Sequence, residues 1–114
     1  MALPERKLTA EGLEMQWAVN HLGHFYLTFL LWDKVQKADN FRVVNVSSLA
    51  HLRTKGIPGP ASPSFEDINC KDYHPRKAYS KSKLYNVLFT RALAEKIDEK
   101  KGKVLSLHPG VVRT

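Results

Sequence analysis

This chain is poor in the residues that would tie or anchor it by simple means. Of its 114 residues, one is cysteine (Cys70), so no internal disulfide can form, and the chain suits a reducing compartment. With no paired cysteines and no His-Glu-x-x-His, its five histidines suggest packing rather than a metal site, and no metal is expected. No apolar run is long enough to span a bilayer, because the strongest one is interrupted at His24. Glu5, Arg6 and Lys7 follow Met1 without an apolar core, so no signal peptide is expected and the location stays open. The six glycines never form Gly-x-x-x-Gly-x-Gly, which excludes a Gly-rich turn of the kind that cradles a pyrophosphate. Acidic residues are also scarce, 11 against 18 lysines and arginines. The resulting charge of +7 raises nucleic-acid binding as a hypothesis. Against it, no motif that reads nucleic acid is present, and the aromatics fall in apolar stripes rather than among the lysines. Nucleic acid is therefore not expected as a partner.

What is present reads as one α/β unit over residues 1–114. Helical apolar spacing runs from about Ala10 to Lys37, with Thr9 as the expected N-cap and Glu11 and Glu14 near the positive end of the dipole. Inside this helix Asn20-His21-Leu22-Gly23-His24 breaks the local rule, since Asn and Gly are poor helix-interior residues. Such a break points either to function at Asn20 or to close helix packing at Gly23. Arg42 to Ser48 and Lys103 to His108 read as short buried strands, the first ending in serine hydroxyls and the second stopped by Pro109-Gly110. A helix from about Ala78 to Glu99 lies between them, with an apolar stripe at Leu84, Val87, Leu88, Leu93 and Ile97. Strand, connection, helix and strand make the crossover unit of a parallel sheet, and ligands in such sheets sit beyond the carboxyl ends of the strands. Ser47, Ser48, Pro109 and Gly110 fall at those ends, and Tyr79 falls near the start of the intervening helix.

The step from Tyr79 to Lys83 places a phenol and an ammonium on one helix face, one turn apart. Across about 5 Å at an effective dielectric of about 20, the attraction between ammonium and phenolate is roughly 3 kcal/mol. That is useful to a proton-transfer catalyst, although Tyr-x-x-x-Lys alone is a common spacing. Ser80 and Lys83 also match the Ser-x-x-Lys of penicillin-recognising acyl enzymes, but neither Ser-Asp-Asn nor Lys-Thr-Gly follows.

Four motifs in order, Asn20-His-Leu-Gly-His-Phe, Val44-Asn-Val-Ser-Ser-Leu-Ala-His51, Tyr79-Ser-Lys-Ser-Lys83 and His108-Pro-Gly-Val-Val-Arg-Thr114, resemble the short-chain dehydrogenase/reductase family, chiefly its retinol dehydrogenase-like branch. The resemblance implies an NAD(P)-dependent oxidoreductase that interconverts a small lipophilic alcohol and its carbonyl. It implies Tyr79 as acid/base, Lys83 as the cation that favours the phenolate and hydrogen-bonds the nicotinamide ribose, Ser48 as the group orienting the substrate oxygen, and Asn20 as the holder of a relay water. Pro109, Gly110, Val112 and Thr114 would cover the nicotinamide of NADP(H) or NAD(H), with no preference readable. The two long helices would pair with those of a second copy.

The loop-rich stretch from Lys55 to Ile68, longer than in the shortest members, fits the retinol dehydrogenase-like branch; it either borders the crevice, the favoured reading, or makes a solvated excursion. The expected fold is a partial Rossmann-like, doubly wound parallel sheet lacking its N-terminal cofactor-binding half and its C-terminal strand. The chain thus reads as the catalytic middle of a longer enzyme, and the isolated polypeptide is expected to be inactive. The alternative is a truncated, non-catalytic fragment that acts only as an interaction module.

Overall fold

Two adjacent six-residue strands and the helices packed on one side of them organise the computed structural model, which describes residues 2–52 and 65–111. The first helix begins as a short α1 (Met15–Trp17), passes through a π-helical turn (Ala18–Leu22) and continues as α2 (Gly23–Val35). Strand β1 (Phe41–Val46) follows, then a 3-10 turn (Leu49–His51), the long helix α3 (Pro75–Ala94) and strand β2 (Gly102–Leu107). β1 and β2 pair in parallel with Phe41 opposite Gly102 and Val46 opposite Leu107, so the sequence between them, including α3, is the connection. The α/β class and both strands agree with the sequence reading to within two residues at each end.

The helix starts differ from that reading for identifiable reasons. Thr9 does not cap the first helix: its hydroxyl accepts from Leu13 N at 3.3 Å in a preceding turn. The cap is Glu14, whose fully buried carboxylate accepts from Gln16 N at 2.9 Å and Trp17 N at 2.8 Å. A carboxylate on the first free N–H groups satisfies orphan donors and complements the dipole. Residues before it are held in place, with Met15 N donating to Lys7 O and Glu14 N to Asn69 Oδ1. α3 starts at Pro75 rather than near Ala78, because His74 Nδ1 accepts from Lys77 N and proline is well suited to the first helical position. Its last regular residue is Ala94, with Glu95 as C-cap, so Ile97 lies beyond it.

The buried face of α3 is also not the apolar stripe. It carries Ala78, Ser80, Ser82, Tyr85, Asn86 and Thr90, while Leu84, Val87, Leu88 and Leu93 are half-buried. Ser82, Asn86 and Thr90 recur at every fourth position, a polar row facing the strands and the π turn, and each finds a partner. Asn45 Nδ2 donates to Thr90 Oγ1 at 2.8 Å, and Thr90 Oγ1 donates to Asn86 O at 2.8 Å. Buried polar groups are tolerated in this way when they are paired. An aromatic cluster closes the core: Trp17 meets Tyr85 edge-on at 6.3 Å, and His21 lies 5.2 Å from Tyr85. At the far end of the sheet, Gly102 gives room to the Phe41 ring, which a Cβ there would meet at 2.5 Å.

Large apolar side chains of α2 remain exposed, among them Phe29 at 68% and Leu30 at 58%. Gly23 is not a close-packing contact between helices here: a Cβ would meet only Ala18 O, at an ordinary 3.5 Å. Among the described residues, no helix is long and apolar enough to cross a membrane, and no cluster of metal-ligating side chains is found.

Candidate active site

The carboxyl ends of β1 and β2, the π turn and the first half of α3 meet at one rim. Val46 ends β1, and its carbonyl accepts from Lys83 Nζ at 3.1 Å and from Asn86 Nδ2 at 3.1 Å. The next residue is tied down as well: Ser47 N donates to Leu107 O at 2.8 Å, and Ser47 Oγ donates to Lys83 O at 2.8 Å. Ser47 is thus buried and holds α3 against the strand end. Ser48, one residue on, caps the 3-10 turn, its Oγ accepting from Ala50 N at 3.2 Å.

Tyr79 and Lys83 stand one turn apart on α3, as their spacing predicts, with Lys83 Nζ over the Tyr79 ring at 5.7 Å from its centroid. An ammonium in that position is attracted by the ring face. Burial pushes the Lys83 ammonium below the ordinary lysine value, and no acidic side chain is among the causes. A cation held near a phenol by a carbonyl, rather than neutralised by a carboxylate, keeps its charge available to stabilise an oxyanion.

Asn20 lies within the π turn. Such turns are rare, occur mostly as single insertions and are frequent at functional sites. The Asn20 side chain donates to Ser82 Oγ at 3.0 Å, and Ser82 Oγ donates to Tyr79 O at 2.7 Å. The Asn20 carbonyl accepts from Asn86 Nδ2 at 3.0 Å and meets His24 Nδ1 at 2.9 Å. Behind it, His21 Nδ1 meets Asn86 Oδ1 at 3.1 Å. His21 is held below the ordinary histidine value, first by burial, with the bond to Asn86 opposing and the charge of His24 adding slightly.

The structure therefore joins Asn20, Tyr79 and Lys83 through Ser82, Asn86 and Val46, and sets Ser48 next to the bonded Ser47. Pro109 and Gly110 follow β2 at the same end, both exposed, with Gly110 at φ +84°, a conformation glycine adopts without strain. Val112 and Thr114 lie outside the described residues, as do residues 55–64 of the stretch expected to border the crevice. Phe65 to Ile68, at the end of that stretch, belong to a turn, and Lys81 Nζ donates to the Asp67 carbonyl. Ser82 and Asn86 carry no motif of their own. The signal that could have found them is the four-residue polar period running from Ser82 to Thr90 through a helix otherwise rich in apolar residues.

The residues present suit a nicotinamide nucleotide at the ribose end. Lys83 carries three N–H donors, one of them engaged by Val46 O, and the strand ends beside it are where ligands of α/β sheets bind.

No family model matches the chain. Comparison with curated proteins is informative: the chain is 44% identical to human retinol dehydrogenase 13 over 108 residues, which cover 93% of this chain and 30% of that protein. It is 46% identical to human retinol dehydrogenase 12 over 107 residues, 93% of this chain and 32% of that protein. With the chloroplastic short-chain dehydrogenase TIC 32 A of Brassica napus the identity is 41% over 118 residues, 95% of this chain and 35% of that protein. The chain thus spans about a third of the length of the curated relatives it matches. Nearly its whole length is homologous to the short-chain dehydrogenase/reductase family and, within it, to the retinol dehydrogenase-like branch.

Proposed function

We propose that this segment supplies the proton-handling part of an NAD(P)-dependent oxidoreductase that interconverts a small lipophilic alcohol and its carbonyl. The observation that carries the reading is the placement of the Lys83 ammonium over Tyr79, at the strand-end rim where Asn20 and Ser48 also lie. In this reading β1, α3 and β2 are the crossover unit of a doubly wound parallel sheet. The nicotinamide cofactor, when bound, donates or accepts the hydride.

The protein's own residues handle position and protons. Tyr79 gives its phenolic proton to the oxygen of a carbonyl under reduction, or takes the proton of an alcohol under oxidation. Lys83 stabilises the negative charge that develops on the phenolic oxygen and would hold the ribose of the bound cofactor. Ser48 donates to the substrate oxygen and holds it against Tyr79. Asn20 links the site to solvent through a water beside Lys83. Pro109 and Gly110, with Val112 and Thr114 by the resemblance, would border the nicotinamide.

The test replaces the matched segment of human retinol dehydrogenase 13 with this chain and follows retinol oxidation and cofactor binding together. Turnover above background is the expected result. A chimera that binds the cofactor and turns over no alcohol or carbonyl would contradict the reading.

A further inference from the structure

Asn86 is outside the four groups assigned to the reaction, yet it connects three separate elements at the rim. It is 3% exposed, and its amide is fully engaged on both sides. Nδ2 donates to Asn20 O in the π turn at 3.0 Å and to Val46 O at the end of β1 at 3.1 Å. Oδ1 faces His21 Nδ1 at 3.1 Å. The opposite amide orientation would aim an oxygen at two carbonyls, so the network fixes which way the group points. His21 supports that choice, because burial favours its neutral form and a proton on Nδ1 serves Oδ1.

The consequence lies in what Asn86 shares. Val46 O takes Lys83 Nζ and Asn86 Nδ2 together. Asn20 meets α3 twice, through its carbonyl to Asn86 and through its side chain to Ser82, which in turn bonds Tyr79 O. If Asn86 lost its amide, Val46 O would still have Lys83 and Asn20 O would still have His24. Neither carbonyl would be orphaned by the loss. What would be lost is the tie between the π turn and the strand end, together with the bond that Oδ1 makes to the buried His21 Nδ1.

We propose that Asn86, oriented by His21, is a positioning residue that sets Asn20 and Lys83 against the end of β1. The proposal rests on the reaction assigned to Tyr79 above. Asn86 itself touches no reacting atom; it acts by keeping the ammonium under the rim and the Asn20 carbonyl beside it.

The test follows Lys83 in the full chain, by NMR titration of its ammonium and by its rate of labelling with an amine-selective reagent. Wild-type Lys83 should titrate below the ordinary lysine value of about 10.4 and label slowly. In Asn86→Leu the titration should move back toward that value and labelling should rise several-fold, as the half-buried ammonium loses its place at the end of β1. His21→Phe keeps a ring but removes the donor to Oδ1, and should move Lys83 the same way by less. It also stands in if Asn86→Leu does not fold. Thr90→Val breaks a different buried bond one turn further along α3, and should leave Lys83 unmoved whatever its cost in stability.

A wild-type Lys83 at the ordinary value would overturn the proposal. So would a Lys83 unmoved by both Asn86→Leu and His21→Phe, or one moved equally by Thr90→Val. The reaction assignment fails separately: a Tyr79→Phe form of the retinol dehydrogenase 13 chimera that kept its turnover would sink the role of Tyr79 and leave the Asn86 comparison of Lys83 standing.

Discussion

The two faces of the β1–β2 sheet both carry apolar side chains but have opposite surroundings. Phe41, Asn45 and Val104 are buried on the face that α3 covers, whereas Val44, Val46, Leu105 and Leu107 on the other face are 43–51% exposed. Strands that read as nearly continuous apolar runs are those of sheets covered on both sides. The covered face teaches what holds the rim together: Asn45 to Thr90, Asn86 to Val46 and Ser47 to Lys83 all run from strand to helix on that side. The open face contributes none of these bonds. Its apolar side chains, like those of α2, offer surface to whatever packs there. The site geometry and the uncovered surface are therefore separable, and mutations should separate them.

The largest effect should come from the covered side. Trp17→Ala removes the ring that packs on Tyr85 and His21, and should cost about 3–5 kcal/mol in denaturant unfolding. A cost near that of a surface substitution would mean the aromatic cluster is not the core. Thr90→Val should cost about 1–3 kcal/mol, because it leaves the buried Asn45 amide without its acceptor. Restoring shape at both positions together, with Asn45→Leu added, should recover part of that loss.

A pH dependence follows from His21. Its value in the fold is lowered by burial, so folding favours the neutral ring. The stability tied to that preference is fully present above the ordinary histidine value of about 6.5 and is lost as pH falls below it and through the lower folded value. Thermal melts should therefore drop between neutral and mildly acidic pH, and the drop should shrink in His21→Phe. Equal drops in both proteins would remove His21 as the cause. Smallest of all, Val44→Thr with Leu105→Thr on the open face should change stability by within about 0.5 kcal/mol per site. The pair should also lower light scattering by the isolated polypeptide, which the unmodified open face is expected to promote.

Much of this arrangement was legible in the residues. Strand period, the Pro109-Gly110 stop and the Tyr79 to Lys83 step gave the unit and its rim, because alternation and one-turn spacing are local properties. Local pattern did not reveal the π turn, since a single extra residue in a helical ladder leaves no compositional mark. Nor did it reveal Glu14 as cap, because Thr9 and its neighbouring acids form an equally good capping sequence and only contacts from Lys7 and Asn69 decide between them. The buried face of α3 was misjudged for a related reason: Ser82, Asn86 and Thr90 are polar, and only the carbonyls and amides opposite them make burial favourable. Asn20 was picked out by its misfit in the helix, and the irregular turn is found at that position.

The central claim is that Tyr79 handles the proton at this rim, and Tyr79→Phe in the retinol dehydrogenase 13 chimera tests it most directly. Removing one hydroxyl leaves the ring under Lys83 in place, so cofactor binding should be retained while turnover is lost. Turnover that persisted in the phenylalanine variant, with cofactor still bound, would contradict the assignment.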